Sequence, residues 1–143
     1  MRVLVTGATG FTGGHLARAL VARGQQVRAL VRDSAGAGAL AEARIEVVPG
    51  DLRDRASLTP AMRGVDVVYN IAALYREAGL PEREYFAVNA TAVGTLIEAA
   101  AEGGARRVVH CSTVGVHGDV EHPPADEDAP LRPGDVYQRS KVE

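Results

Sequence analysis

The chain has 143 residues, of which 46% are hydrophobic and 24% are charged, and this length and composition suffice for one domain with a hydrophobic core. The net charge of −2 gives no reason to expect nucleic acid or an anionic membrane as a partner. The single cysteine, Cys111, excludes an intrachain disulfide and cannot form a zinc site alone, and no apolar run approaches the ~20 residues of a membrane span.

Strand-like and helix-like patterns alternate along the whole chain. We predict strands over residues 3–5, 27–31, 45–48, 65–70 and 107–112. The first predicted helix runs through Leu16 and Leu20 and ends at Gly24, and a short one follows over 34–43. A third covers 54–62 with Asp54 as its N-cap, and a long one over 82–102 is closed by Gly103–Gly104. The last starts near Asp135 and still runs at Glu143. A loop rich in proline and acidic residues is predicted over 117–133.

This alternation predicts an α/β fold, a parallel sheet with helices on both faces. Right-handed crossovers and a glycine-rich turn after the first strand favour a doubly wound sheet with strand order 3-2-1-4-5. In such a sheet the ligand binds at the carboxyl ends of the strands.

The turn after the first strand carries three glycines spaced three apart. Gly7 lets the chain leave the strand, Gly10 removes a Cβ where phosphates must approach, and Gly13 allows the following helix to pack closely. The free N–H groups of the first helical turn and the helix dipole favour an anion there. The alternative is a purely structural glycine turn. The predicted pyrophosphate-binding residues are Gly7, Thr9, Gly10, Phe11, Thr12 and Gly13.

The block from Thr6 to Gly13, with its Gly-x-x-Gly-x-x-Gly spacing, resembles the short-chain dehydrogenase/reductase superfamily, in particular its extended branch of sugar epimerases, dehydratases and dihydroflavonol-type reductases. The resemblance implies a Rossmann fold that binds NAD(P), and hydride transfer between the nicotinamide and a carbinol or carbonyl carbon. Because extended members carry a C-terminal substrate domain, we expect residues 1–143 to be one cofactor-binding domain that is cut before that domain.

The end of the second strand bears on the choice of cofactor. Val31 takes the position where many NAD-dependent relatives have aspartate, and Arg32 follows it. A guanidinium suits a 2′-phosphate by charge and geometry. We therefore expect NADP. The alternative is NAD, with Arg32 paired with Asp33 or stacked on the adenine.

Two further turns are assigned to the cofactor by the resemblance. Asp51 and Leu52, after the third strand, match the residues that clasp the adenine, although Asp51 is equally typical of a turn or a cap. Ile71, Ala72 and Ala73, after the fourth strand, match the turn beside the nicotinamide ribose, although their composition alone would suit the core.

The resemblance also assigns two polar side chains in the second half of the chain. Asn89 lies by the apolar stripe of the long helix and corresponds to the family's asparagine, although a helix-to-strand hydrogen bond would explain it as well. Thr113, five residues before Gly118, corresponds to the hydroxyl that orients the substrate oxygen, with Ser112 as its rival. His117 stands where many relatives have tyrosine.

Tyr137 and Lys141 lie four residues apart, on one face of the last predicted helix. A phenol with an ordinary pKa of ~10 is a poor base at neutral pH, and an ammonium together with an oxidised nicotinamide would favour its phenolate form. The resemblance makes Tyr137 the acid/base. It makes Lys141 the residue that binds the ribose hydroxyls and tunes Tyr137.

The expected partner is a small-molecule substrate, a ketone, an alcohol or a nucleotide sugar, with no nucleic acid and no membrane. The resemblance also allows a homodimer of the full-length protein. The N-terminal sequence turns to glycine and threonine after five residues, so we expect no secretory signal and a cytoplasmic location. Other interpretations are a non-catalytic dinucleotide sensor and an inactive cofactor-binding fragment. We assign no metal, and interpret His117, Asp119, Glu121 and His122 as parts of the acidic loop.

Overall fold

Five parallel strands form a single sheet in the computed structural model, which describes residues 1–33 and 37–143. The strands are β1 (Arg2–Thr6), β2 (Gln26–Val31), β3 (Glu46–Pro49), β4 (Val67–Asn70) and β5 (Arg107–His110). Their order is β3-β2-β1-β4-β5, which confirms the prediction. The register pairs Thr6 with Asn70, and Asn70 with His110, so three strands end side by side.

Helices connect these strands in the part of the chain that the structure describes. They are α1 (Phe11–Ala22), α2 (Gly38–Glu42), α3 (Arg55–Met62), α4 (Glu82–Phe86), α5 (Ala92–Glu102) and α6 (Val136–Val142). The short helix predicted over 34–43 corresponds to α2, and its residues 34–36 lie outside the described residues. Asp54 caps α3 as predicted, since its Oδ1 accepts a hydrogen bond of 3.0 Å from the N–H of Ala56.

The hydrophobic core lies on both faces of the sheet. Along β1, Val3 and Val5 pack into one cluster with α1 and α2, while Leu4 packs into the other with α3 and α5. Side chains of a strand alternate between the two faces, so a strand covered on both faces needs apolar residues at successive positions. None of the helices in the described ranges is long and apolar enough to cross a membrane.

The long helix predicted over 82–102 differs in its middle. A π-helical turn (Ala87–Thr91) separates α4 from α5, and Asn89 lies buried within it. Such turns occur mostly as single insertions in α-helices, frequently at functional sites. The helix closes as predicted, with Gly103 as C-cap and Gly104 at a positive φ of 80°.

The region after β5 also differs from the prediction. β5 ends at His110, two residues before the predicted end at Ser112, because its partner strand β4 ends at the paired Asn70. A 3₁₀ turn (Val114–His117) follows, where the sequence had suggested only a loop nearby. The last helix begins as predicted, with Asp135 as its N-cap and Gln138 completing a capping box.

Candidate active site

A cleft of about 600 Å³ opens at the carboxyl ends of the strands. Its walls come from the turn after β1, the ends of β2 and β3, the turn after β4, the end of β5 and the start of α6. The predicted site residues in this lining are Gly7, Thr9, Gly10, Phe11, Thr12, Gly13, Arg32, Asp51, Leu52, Ile71, Ala72, Ala73 and Tyr137. The lining does not include Asn89, Thr113 or Lys141, which lie behind it.

The glycine turn is held by contacts between backbones. Gly7 has φ 68°, and a Cβ on it would lie 2.8 Å from the N of Ala72. A Cβ on Gly13 would lie 2.2 Å from the carbonyl oxygen of Gly7. Both distances are shorter than a side chain can accept, so the packing of the turn against α1 and against the β4 turn requires these two glycines.

Gly10 differs because a Cβ on it would meet only one atom, at a tight but less severe distance. The nearest atom would be the oxygen of Gly7 at 3.3 Å. Gly10 is the N-cap of α1 in an extended conformation, no side chain caps the helix, and no acidic residue lies in its first turn. The first N–H groups of the helix are therefore open toward the cleft, an arrangement that favours an anion.

Two arginines lie at the end of the cleft formed by β2 and β3. Arg53 donates from its backbone N–H (2.9 Å) and from Nη2 (2.9 Å) to the carboxylate of Asp51. The hydrogen bond from Arg53 lowers the pKa of Asp51 below its usual value, and the charge of Arg32 adds a smaller effect in the same direction. The residue assigned to the adenine is therefore an ionised carboxylate already engaged by a guanidinium.

The buried Asn89 joins three segments. Its Oδ1 accepts from the N–H of Leu74 at 2.8 Å, and its Nδ2 donates to the carbonyl of Leu74 at 2.9 Å and to Oγ of Ser140 at 2.9 Å. It ties the turn after β4 to α6 and does not line the cleft. The alternative, a helix-to-strand hydrogen bond, is not what forms, because Asn89 bonds to Leu74 in the loop that follows β4 and to Ser140 of α6.

Tyr137 projects into the cleft from the first turn of α6. Burial raises the pKa of Tyr137, and a hydrogen bond with Thr113 lowers it by less. The ring of Tyr75 packs edge-on against that of Tyr137, with centroids 4.9 Å apart. Ser112, the rival of Thr113, lines the cleft itself. The phenol thus has Thr113 as its polar neighbour and an aromatic wall beside it.

Lys141 lies on the same helix, 8% exposed, with its amine turned toward the sheet. Its Nζ is 2.7 Å from the carbonyl oxygen of Cys111 and 2.9 Å from Nε2 of His110. Burial lowers the pKa of Lys141, and burial also lowers the pKa of His110. Lys141 thus has two protein partners at the end of β5.

The loop after the 3₁₀ turn encloses a smaller cavity of about 290 Å³, lined by residues that include His117, Asp119, Glu121 and His122. Within residues 1–33 and 37–143, no group of three or more histidine, cysteine or acidic side chains lies close enough to hold a metal ion. Arg132 pairs with Glu121 across this loop at 3.0 Å.

Residues 3–143 match the model of a protein family described as the NAD dependent epimerase/dehydratase family. The chain belongs to this family. It is 40% identical to sterol demethylase protein B of Methylococcus capsulatus, over 99% of the chain and 44% of that protein. It is 34% identical to UDP-glucose 4-epimerase of Streptomyces lividans, over 99% of the chain and 44% of that protein. The chain therefore spans less than half the length of these curated relatives.

A solved structure described as a short-chain dehydrogenase/reductase superfamily protein from Agrobacterium tumefaciens with bound NAD superposes with a TM-score of 0.88 at 33% identity. The match covers 99% of this chain and 42% of that one. The epimerase/dehydratase fold predicted from the glycine turn is therefore confirmed by an independent comparison of three-dimensional structure.

Three residues of this family member are notable in the site although the sequence alone had not singled them out. Arg53 engages Asp51, Tyr75 packs on Tyr137, and His110 contacts Lys141. The sequence does contain one signal that a special environment surrounds Lys141. It is the only lysine among the 16 lysines and arginines of the chain. A chain that uses arginine everywhere else has an ammonium, whose pKa shifts readily on burial, at one place only.

We predict that Gly13→Ala lowers the free energy of unfolding by about 1–3 kcal/mol, because the new Cβ meets the backbone of Gly7, which cannot move without opening the turn. Gly94→Ala is the matched control, since a Cβ there meets nothing within 4 Å. Chemical denaturation of the three proteins measures the difference. Equal stability of the two variants would contradict the close packing described here.

Proposed function

We propose that the cleft binds a nicotinamide dinucleotide, with its pyrophosphate at the N-terminus of α1. The observation that carries this proposal is the position of Gly10 at the N-cap of α1, where no side chain stands between the first N–H groups of the helix and the cleft. The bound NAD in the similar structure from Agrobacterium tumefaciens supports the same class of cofactor. Ile71, Ala72 and Ala73 would then flank the nicotinamide ribose.

We propose that the end of the cleft that would hold the adenosine prefers NADP over NAD. Arg32 lines the cleft and is exposed at the end of β2, where its guanidinium is accessible to a 2′-phosphate. Arg53 places a second guanidinium beside it. Asp51 and Leu52 would contact the adenine, and the carboxylate of Asp51 would share its acceptors between Arg53 and the adenine amine.

When bound, the dinucleotide would supply or accept a hydride at its nicotinamide. The residues of this chain then have three tasks. Tyr137 moves the proton of the substrate oxygen, and Thr113 orients that oxygen through its hydroxyl. Lys141 holds the ribose hydroxyls, and whenever it carries a proton its charge also favours the phenolate form of Tyr137. Asn89 and Ser140 hold α6 at the distance that these tasks require.

The substrate is proposed to be a small molecule that bears an alcohol or a ketone, or a nucleotide sugar. The same proton and hydride transfer serves a reductase, an epimerase or a dehydratase, and the similarity to UDP-glucose 4-epimerase and to sterol demethylase protein B covers less than half of either relative. A protein that only sensed dinucleotides would need the glycine turn but would have no use for Tyr137. We therefore favour an enzyme over a sensor.

Gly10→Val is expected to abolish dinucleotide binding, because the side chain would occupy the space proposed for phosphate, while its Cβ would meet only the oxygen of Gly7, at 3.3 Å. Calorimetric titration with NADP and NAD measures the loss. Gly94→Val, on an exposed part of α5 outside the cleft, should bind as the wild type does. Unchanged affinity in Gly10→Val would remove the glycine turn from the site.

Arg32→Ala is expected to weaken NADP binding by about ten- to a hundred-fold and to leave NAD binding nearly unchanged, since a charge-assisted hydrogen bond contributes about 1.5–3 kcal/mol. The control is Arg23→Ala at the end of α1, which does not line the cleft. An equal loss of both cofactors, or of neither, would contradict the assignment of Arg32 to the 2′-phosphate.

Tyr137→Phe is expected to reduce turnover by ~10²-fold or more in the protein that carries this chain, the scale of general acid–base catalysis, with nearly unchanged cofactor affinity. Lys141→Met should weaken cofactor binding and turnover together, because the lysine is assigned to the ribose. Tyr69→Phe, on β4, is the matched control and should retain full turnover. A fully active Tyr137→Phe would favour the sensor.

A further inference from the structure

A continuous chain of polar side chains runs from β1 through β4 and β5 to α6, beneath the cleft. Oγ1 of Thr6 lies 2.6 Å from Oδ1 of Asn70, and Nδ2 of Asn70 lies 3.0 Å from Nδ1 of His110. Nε2 of His110 in turn lies 2.9 Å from Nζ of Lys141. Thr6 and Asn70 are at most 1% exposed, so bulk water cannot hydrogen-bond to them. Each of their hydrogen bonds must therefore join a donor to an acceptor within the protein.

The direction of the first bond follows from counting donors at Thr6. Its Oγ1 accepts from the backbone N–H of Ile71 at 3.2 Å and of Ala72 at 3.1 Å, and backbone N–H groups can only donate. Both lone pairs of the hydroxyl are then used, and its proton must go to Asn70. The separation of 2.6 Å is also typical of an O–H···O bond and short for an N–H···O bond.

The amide of Asn70 therefore turns its oxygen to Thr6 and its NH₂ to His110. An amide nitrogen can only donate, so Nδ1 of His110 must accept. A neutral imidazole has one N–H and one bare nitrogen, and a bare Nδ1 places the proton on Nε2. Nε2 is the nitrogen that faces Lys141.

We propose that His110 is a positioning residue that donates its Nε2 proton to Nζ of Lys141 and thereby favours the amine form of Lys141 over the ammonium before a cofactor binds. An ammonium has three N–H groups and no acceptor, so it cannot take this bond. The amine can, and it still donates one N–H to the carbonyl of Cys111 at 2.7 Å. Every hydrogen bond from Thr6 to Cys111 then has one donor and one acceptor.

The surroundings of Lys141 favour the same form. Burial lowers the pKa of Lys141 and also lowers that of His110, which keeps the imidazole neutral. The interaction with Cys111 is smaller and acts in the opposite direction on Lys141. Tyr137, one turn earlier on α6, has its own pKa raised by burial and so stays uncharged at neutral pH.

Two carboxylates at α6 are engaged by arginines. Glu82 on α4 pairs with Arg139, and Asp135 at the start of α6 pairs with Arg76 at 2.8 Å. On the 3₁₀ turn, Nδ1 of His117 lies at the carbonyl of Ala129, 3.1 Å away. None of these groups is among those that shift the pKa of Lys141, so none supplies the negative charge that would hold an ammonium there.

The direct test is nuclear magnetic resonance of the protein without cofactor. The ¹⁵N shifts of His110 distinguish a bare nitrogen from an N–H, and at about pH 8, above the ordinary pKa of histidine, we expect a bare Nδ1 and a protonated Nε2. Labelling of lysine follows the titration of Lys141, the only lysine of these 143 residues, with Lys141→Arg to assign its signal. Its midpoint is expected to lie below that of free lysine and below the pH of this measurement, because an ammonium could not accept the Nε2 proton.

His110→Gln tests the role of the imidazole, because a carboxamide can turn its oxygen toward Nζ and accept from an ammonium. The titration midpoint of Lys141 should rise by one unit or more, a change of at least tenfold in the ratio of ammonium to amine at fixed pH. His117→Gln, a histidine that does not touch Lys141, is the matched control and should leave the midpoint unchanged.

A proton on Nδ1 of His110 in the wild type, or an imidazolium at that pH, would overturn the proposal, and so would a Lys141 midpoint that His110→Gln leaves in place. The tautomer is measured on the wild type, so it decides the question even where the variant does not fold. Because neither measurement uses cofactor or turnover, a failure of the proposed enzymatic function would leave them valid, and their failure would leave that function standing.

Discussion

The backbone of Gly7 lies so close to two other segments that no side chain fits at either contact. On one side it meets Ala72 after β4, and on the other its carbonyl meets Gly13 in α1. These contacts bring the turn after β1, the start of α1 and the turn after β4 to one place, and the cleft is the space that they leave. The N–H groups of α1 face that space because the chain cannot turn in another direction without breaking one of the two contacts.

Buried polar side chains hold the rest of the site against this turn. Thr6 binds both N–H groups of the β4 turn, and Asn89 binds both backbone groups of Leu74 further along the same segment. Each of these bonds satisfies a buried backbone group that has left the sheet, where an unpaired donor would be costly. The positions of Tyr137 and Lys141 therefore depend on a network that reaches from the centre of the sheet, and α6 alone does not fix them.

The charges are distributed in a way that suits an anionic ligand at one end and proton transfer at the other. Arg32 and Arg53 lie at the β2 and β3 end of the cleft, together with the carboxylate of Asp51. At the β5 end lie the phenol of Tyr137 and the amine of Lys141, which bonds to His110 and to the carbonyl of Cys111. In the proposed function, cofactor association and proton transfer would therefore use separate parts of one cleft.

The alternation of apolar strands and helices was enough to predict the sheet and its strand order, because burial on both faces demands continuous apolar strands and right-handed crossovers leave few topologies. The glycine spacing and the capping residues Asp54 and Asp135 are local signals, and they placed the turn and the starts of α3 and α6 correctly. Local signals were not enough for the π turn at Asn89 or the early end of β5. The position of Asn89 depends on its hydrogen-bond partners Leu74 and Ser140. The end of β5 depends on where its partner strand β4 ends.

The partners of the site residues were decided by the tertiary structure alone. The sequence indicated Lys141 by its spacing from Tyr137, and nothing in that spacing predicted that its amine would meet His110, 31 positions away in the chain. Likewise, the sequence placed Asp51 after a strand but did not predict the hydrogen bonds that it accepts from Arg53. A sequence pattern specifies which residues share an element, whereas the direction of a hydrogen bond and the ionisation of a buried group depend on neighbours that only folding brings within 3 Å.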